Sequence, residues 1–284
     1  MKYLWTLAVL FLCNFLTAQE SENPLFSSFE NYKKAKENTP FQVKWISAGP
    51  VTNSARVEAL QGDPNQPGTM YVAFGSGNLW KTINNGLDWK PIFENQPTLG
   101  IGDIAIAPSN SEILYLGTGE SLRKNRNFTM PGTGVYRSDD GGETWAHLGL
   151  EETWHIGEIV VHPHNPDIVF VAAMGKFWSE STSKGIYRTI NGGKDWERVL
   201  YINENTRAND IVIAHSNPKI VYASMWENND NANIAESVYG PNSGIYYSSD
   251  GGSTWKRSKT GLPDDPKIGR IGLAVSYQNA QKVY

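Results

Sequence analysis

An all-β fold, a β-propeller of four-stranded antiparallel blades set around a common axis, is predicted by three features of this 284-residue sequence. The stretch Ser138-Asp139-Asp140-Gly141-Gly142-Glu143-Thr144-Trp145 recurs as Thr82 to Trp89, Thr189 to Trp196 and Ser248 to Trp255. The closing residues Trp89, Trp145, Trp196 and Trp255 are 56, 51 and 59 residues apart, the period of a four-stranded unit rather than of a helical hairpin. Between the copies lie short β-branched and aromatic runs bounded by Gly, Pro, Asn and Asp, which read as strands and tight turns.

Taken in order, Met1 to Ala18 has one Lys near its start, an apolar run from Leu4 to Leu16 and small residues before Gln19. This is the layout of a cleaved secretory signal, too short to span a bilayer, so a secreted, periplasmic or cell-surface protein is expected, with no membrane insertion of the mature chain. Cys13, the sole cysteine, lies inside that signal, so the mature chain forms no disulfide and burial with hydrogen bonding must hold the fold. Residues 19–40 read as a polar linker with room for one helical turn.

The propeller is expected over 41–284, with blades at about 51–96, 97–150, 151–202 and 203–262 and part of a fifth at 263–284. Blade 3 shows the scheme: Ile156 to His162, Ile168 to Ala173, Gly185 to Arg188 and Trp196 to Leu200 are four successive strands of a meander. Residues 41–50 resemble a fourth strand arriving ahead of any first strand and could close a ring, while 263–284 stop within a blade, so an incomplete ring is predicted. A four-stranded sheet cannot bury both faces alone, so the blades must pack on one another.

The net charge of −4, one unit more negative without Lys2, comes with no basic stripe and argues against nucleic acid as a partner. No metal-ligand spacing, phosphate-cradling glycine loop or nucleophile elbow is present, and neither metal nor cofactor is expected.

The repeated octad follows S/T-x-D/N-x-G-x-T/D-W and resembles the Asp-box, or BNR repeat, of sialidases, family 74 xyloglucanases and sortilin-type propellers. Asn78 to Thr82, Gly117 to Glu120, His155-Ile156-Gly157 and Ile268 to Val275 are similar to exported bacterial proteins with a sortilin N-terminal-like propeller, often labelled glycosyl hydrolase. That resemblance implies a glycoside hydrolase as one alternative; the aromatic, acidic and arginine residues of the long loops suit a glycan or peptide ligand, and a protein-interaction scaffold is the other alternative. The sialidase F/Y-R-I/L-P motif is absent, and Phe74 to Asn78 stand where family 74 enzymes place a catalytic Asp, so neither activity transfers residue by residue.

Within the octads, Asn84, Asp140, Asn191 and Asp250 are expected to accept backbone N–H groups across their own turns, and Trp89, Trp145, Trp196 and Trp255 to pack between sheets. Function is expected at the other end of each sheet, in the long connections between second and third strands and in those between blades. There Glu120 and Glu227 are candidates for a glycosidase acid and base or nucleophile, although loop carboxylates are more often bonded to nearby backbone. His155, Trp178, Arg207 and Trp226 are the candidate ligand-binding residues, rings for apolar faces and charged groups for polar ones.

Overall fold

A computed structural model of the protein describes residues 23–39, 56–121, 129–177, 181–228, 239–263 and 267–284. The expected signal at 1–18, the expected closing strand at 41–50 and Trp178 lie outside the described residues.

Four antiparallel meanders make four blades. β1 (Val57–Gly62), β2 (Met70–Phe74), β3 (Leu79–Thr82) and β4 (Lys90–Pro91) form the first, and β5 (Ile101–Ile106), β6 (Leu114–Thr118), β7 (Val135–Ser138) and β8 (Ala146–His147) the second. The third holds β9 (Ile156–Val161), β10 (Val169–Ala173), β11 (Gly185–Thr189) and β12 (Glu197–Leu200), and the fourth β13 (Thr206–Ile213), β14 (Val221–Glu227), β15 (Gly244–Ser248) and β16 (Lys256–Arg257). Beyond them, Val275 pairs with Val283 in an isolated antiparallel bridge.

The core is divided into layers between successive blades, as sheets with two apolar faces require. Tyr71, Ala73 and Leu79 of blade 1 pack on Ile101, Ile104, Leu114 and Leu116 of blade 2. Tyr115 and Val135 meet Ile156, Ile159, Val169 and Val171 of blade 3, and Phe170, Ala172 and Ile186 meet Ala208, Ile211, Val221 and Met225 of blade 4.

Each inner strand carries an irregularity at the same register position. Pairing skips one residue at Glu58 in β1, Gly102 in β5, Gly157 in β9 and Asn209 in β13. Such bulges bend a strand and re-aim the next side chain, which in β5, β9 and β13 is an acid: Asp103, Glu158 and Asp210.

The four octads share one hydrogen-bond scheme. In blade 2, Ser138 Oγ donates to Asp140 Oδ1 at 2.7 Å while accepting from Gly142 N at 2.8 Å, and Thr144 N donates to Asp140 Oδ1 at 2.9 Å. Thr82 with Asn84, Thr189 with Asn191 and Ser248 with Asp250 repeat it. Gly142 has a φ of 94°, which only glycine adopts without strain, and its equivalents follow suit. Trp145 Nε1 then donates to Ile92 O and Trp196 Nε1 to Leu148 O, each tying its turn to the preceding blade, whereas Trp255 bonds within its own turn to Gly252 O.

Thr144 is the main cause holding the Asp140 carboxyl at about 2, through its hydroxyl and its N–H. Because the folded value is depressed, this stabilisation is present above the ordinary carboxylate value and is lost as pH falls towards 2. Asp140→Ala is expected to lower stability by about 1 kcal/mol at neutral pH, the worth of a turn hydrogen bond. Thermal melts should show that difference shrinking below about pH 3, as the wild-type carboxylate protonates.

Where a polar linker with room for one helical turn is expected, α1 (Pro24–Glu37) is a helix of 14 residues. Pro24 opens it, Asn23 Oδ1 caps it by accepting from Leu25 N at 3.1 Å, and Lys34 and Lys36 occupy its last turn. No helical residue is buried, so these local devices are its only sequence signature; Asn23 Nδ2 donates to Gly132 O at 3.1 Å and Phe26 meets His147 edge-on.

Candidate functional site

A meander places its first and third connections at one end of the sheet, and its second connection with the link to the next blade at the other. The octads therefore lie opposite the connections at 119–134, 174–184 and 228–243 and the links at 148–155 and 201–205.

On this second face three of the four candidate ligand residues come together. The His155 ring stacks on Phe177 with centroids 4.1 Å apart, and the Arg207 guanidinium lies 4.8 Å from Phe177 and 5.8 Å from Trp226. Trp226 packs with Met174 and Phe177 and is only 2% exposed. Trp226 and Arg207 thus form the buried floor of this face, which corrects the expectation of a ligand platform on a loop: β13 and β14 extend far enough to pair Arg207 with Trp226.

His155 Nδ1–H donates to Glu120 O at 2.9 Å, which sets the tautomer of the neutral ring. Burial, and then the Arg207 charge, push its imidazole down to about 3, so it stays neutral at physiological pH and orients backbone rather than carrying protons.

The two candidate carboxylates have separate surroundings. Glu120 is fully buried, ion-paired with Arg56 of blade 1, and accepts from Met130 N at 3.2 Å. Glu227, at the end of β14, accepts from Asn242 N at 2.7 Å and so fastens the following connection. They belong to blades 2 and 4, and among the described residues their hydrogen-bond and ion-pair partners differ. Glu120 is thus held by an ion pair across the blade 1–2 boundary and by backbone of its own connection, and Glu227 by backbone of its own blade.

Acids that the sequence reading passed over gather instead on the inner strands. Asp103 Oδ2 accepts from Ile159 N of the next blade at 2.9 Å, and Asp210 Oδ2 from Leu273 N at 3.0 Å. Glu158 stands between them in the blade order. Burial first, then the charges of Asp103 and Asp210, push its carboxyl up to about 10 against the pull of Arg270, and burial raises Asp103 to about 7. Arg270 reaches back to Ser121 O at 3.3 Å, and Ser121 Oγ donates to Glu58 Oε2 at 2.7 Å, linking residue 270 to the first two blades. The visible signal was Ile-Gly-Asp-Ile at 101–104, Ile-Gly-Glu-Ile at 156–159 and Ala-Asn-Asp-Ile at 208–211, an acid at one place in each apolar strand. Among the described residues no group of three or more His, Cys, Asp or Glu side chains is arranged to hold a metal ion.

Comparison with known proteins agrees with this geometry. The sequence model of the sortilin family described as sortilin, neurotensin receptor 3 matches residues 133–264. Xyloglucanase Xgh74A of Acetivibrio thermocellus is 24% identical across 70% of this chain and 32% of its own length. A probable oligoxyloglucan-reducing end-specific xyloglucanase of Neosartorya fischeri is 30% identical over 143 residues, 49% of this chain and 15% of the relative. An ancestral GH74 enzyme superposes with a TM-score of 0.59 at 23% identity, over 79% of this chain and 26% of the other. The Niastella koreensis GH74 enzyme does so with a TM-score of 0.51 at 21% identity, over 70% and 28%. The chain therefore spans about a third or less of the length of these relatives, and the likeness shows the propeller fold. Among the described residues no helix is long and apolar enough to cross a membrane.

Proposed function

We propose that this chain is part of an exported β-propeller that recognises a glycan on the face formed by its long connections. The observation that carries the reading is the convergence of His155, Phe177, Arg207 and Trp226 from blades 3 and 4 into one buried stack beneath that face. Such a stack is a rigid floor on which connections can be displayed, and preorganised surfaces bind with less loss of conformational freedom. The similarity to xyloglucanases supports a β-glucan chain of the xyloglucan type as ligand. Export rests on residues 1–18. A peptide ligand is less well served, because the outer strands β4, β8 and β16 are each two residues long and β12 four, which offers little edge for an added strand.

Hydrolysis is the second reading, favoured by one observation. A carboxyl kept protonated near neutral pH between two other acids is what a glycosidase's general acid requires, and Glu158 has that environment. Calorimetric titration of the full chain with xyloglucan oligosaccharides, beside a reducing-sugar assay, separates the two. Saturable binding without cleavage is the expected result. Cleavage abolished by Glu158→Gln would establish the second reading, and neither binding nor cleavage would refute both.

A further inference from the structure

The link into blade 3 contains a strained residue that packing alone does not account for. Trp154 has φ 55° and ψ −41°, and His155 N donates back to Thr153 O at 2.5 Å across it. This is a γ-turn of the positive-φ kind, which is rare and costly for a residue with a side chain. The turn is held from outside: Gly132 N donates to Trp154 O at 2.7 Å, and a Cβ at Gly119 would come within 2.0 Å of the same oxygen. Trp154 consequently stands where the connections at 119–134 and 174–184 meet.

Its indole is half-buried and lies under the Lys176 ammonium, 4.9 Å from the ring centroid. The Nε1–H is screened from solvent yet has no acceptor among the described residues. Tryptophan N–H groups in such positions normally find one. A ring face under a lysine ammonium, beside an N–H with no acceptor among the described residues, suits a ligand with an apolar face and peripheral hydroxyls.

We infer that Trp154 is a glycan-binding residue, stacking on a sugar ring that displaces Lys176 and donating its Nε1–H to a sugar hydroxyl. The inference rests on the glycan reading above and assigns it a particular residue. Strain at such a position is maintained because the surrounding backbone fixes it, here through Gly132 N and the close approach of Gly119 to Trp154 O.

Trp154→Gly, Trp154→Ala and Trp154→Phe in the full chain test this by thermal melting and by titration with xyloglucan oligosaccharides. Trp154→Gly removes the ring and relieves the backbone, so it is expected to melt about 2–4 °C above Trp154→Ala and close to wild type. Its affinity should fall about tenfold or more. Trp154→Phe keeps a ring but loses the donor, so a loss of about fivefold is expected at unchanged melting temperature. Wild-type affinity in Trp154→Gly overturns the inference and leaves the glycan reading standing. If Trp154→Gly melts far below wild type, Trp154→Phe decides: weakened binding supports the assignment and wild-type affinity overturns it. Absence of glycan binding by the wild-type chain overturns the broader reading and this inference with it.

Discussion

Gly102→Ala is expected to destabilise the protein by about 3 kcal/mol or more, measured by urea or thermal denaturation, because it wedges two blades apart. An added Cβ would sit 2.0 Å from Ile156 O and 2.7 Å from Gly119 O, both backbone atoms that no rotamer change can move. Gly157 is placed in the same way against Asn209 O at 2.4 Å, so this close approach recurs at the next blade boundary. At the fourth inner strand Asn209 stands in the glycine's place, and its Nδ2 donates to Ile271 O at 2.8 Å. Gly62 provides the control: a Cβ there meets nothing within 4 Å, and Gly62→Ala should leave stability within about 0.5 kcal/mol of wild type. Equal stability of Gly102→Ala and wild type would mean that the inner strands are not in the contact described.

Glu158→Gln is expected to stabilise the protein in a pH-dependent way. Burial is the main reason the folded Glu158 carboxyl is raised to about 10 from 4.5, with Asp103 and Asp210 adding to it. A group whose folded value is raised binds more protons folded than unfolded, so its contribution is fully present below 4.5 and is lost as pH rises towards 10. Wild-type stability should therefore decline from about pH 5 to pH 9, and Asp103, raised to about 7, steepens the lower part of that decline. Glutamine keeps the shape without the charge. The variant should match wild type near pH 4 and exceed it by about 2 kcal/mol near pH 8, a figure reduced from the full shift because the acids share their protons. Chemical denaturation across that range measures it, and parallel pH profiles for the two proteins would contradict the environment assigned to Glu158.

The propeller was legible because its signal is redundant. Four octads at blade spacing, each closed by Trp, fix the third turn of every blade, and the β-branched runs between them leave little choice of strand. The site was less legible for reasons particular to each residue. Trp226 and Arg207 stand at the ends of their runs, and only the cross-strand pairing of β13 with β14 shows that they point inward. Glu120 follows a Gly-Thr-Gly stretch typical of a loop, but Arg56, 64 residues earlier in the chain, draws it into the blade 1–2 boundary. The inner-strand acids are hidden by their bulges. One extra residue breaks the period-of-two alternation just ahead of Asp103, Glu158 and Asp210, so their common orientation cannot be read from spacing alone. The helix α1 has caps but no buried stripe, leaving periodicity nothing to detect.

Hydrogen exchange of the full chain with and without saturating xyloglucan oligosaccharide tests the central claim most directly. Protection is predicted at 129–133, 153–155 and 174–177, where the long connections rise from the buried stack, with the octads at 138–145 and 189–196 unchanged. Protection confined to the octads, or no protection at either end, would contradict a ligand face at this end of the blades.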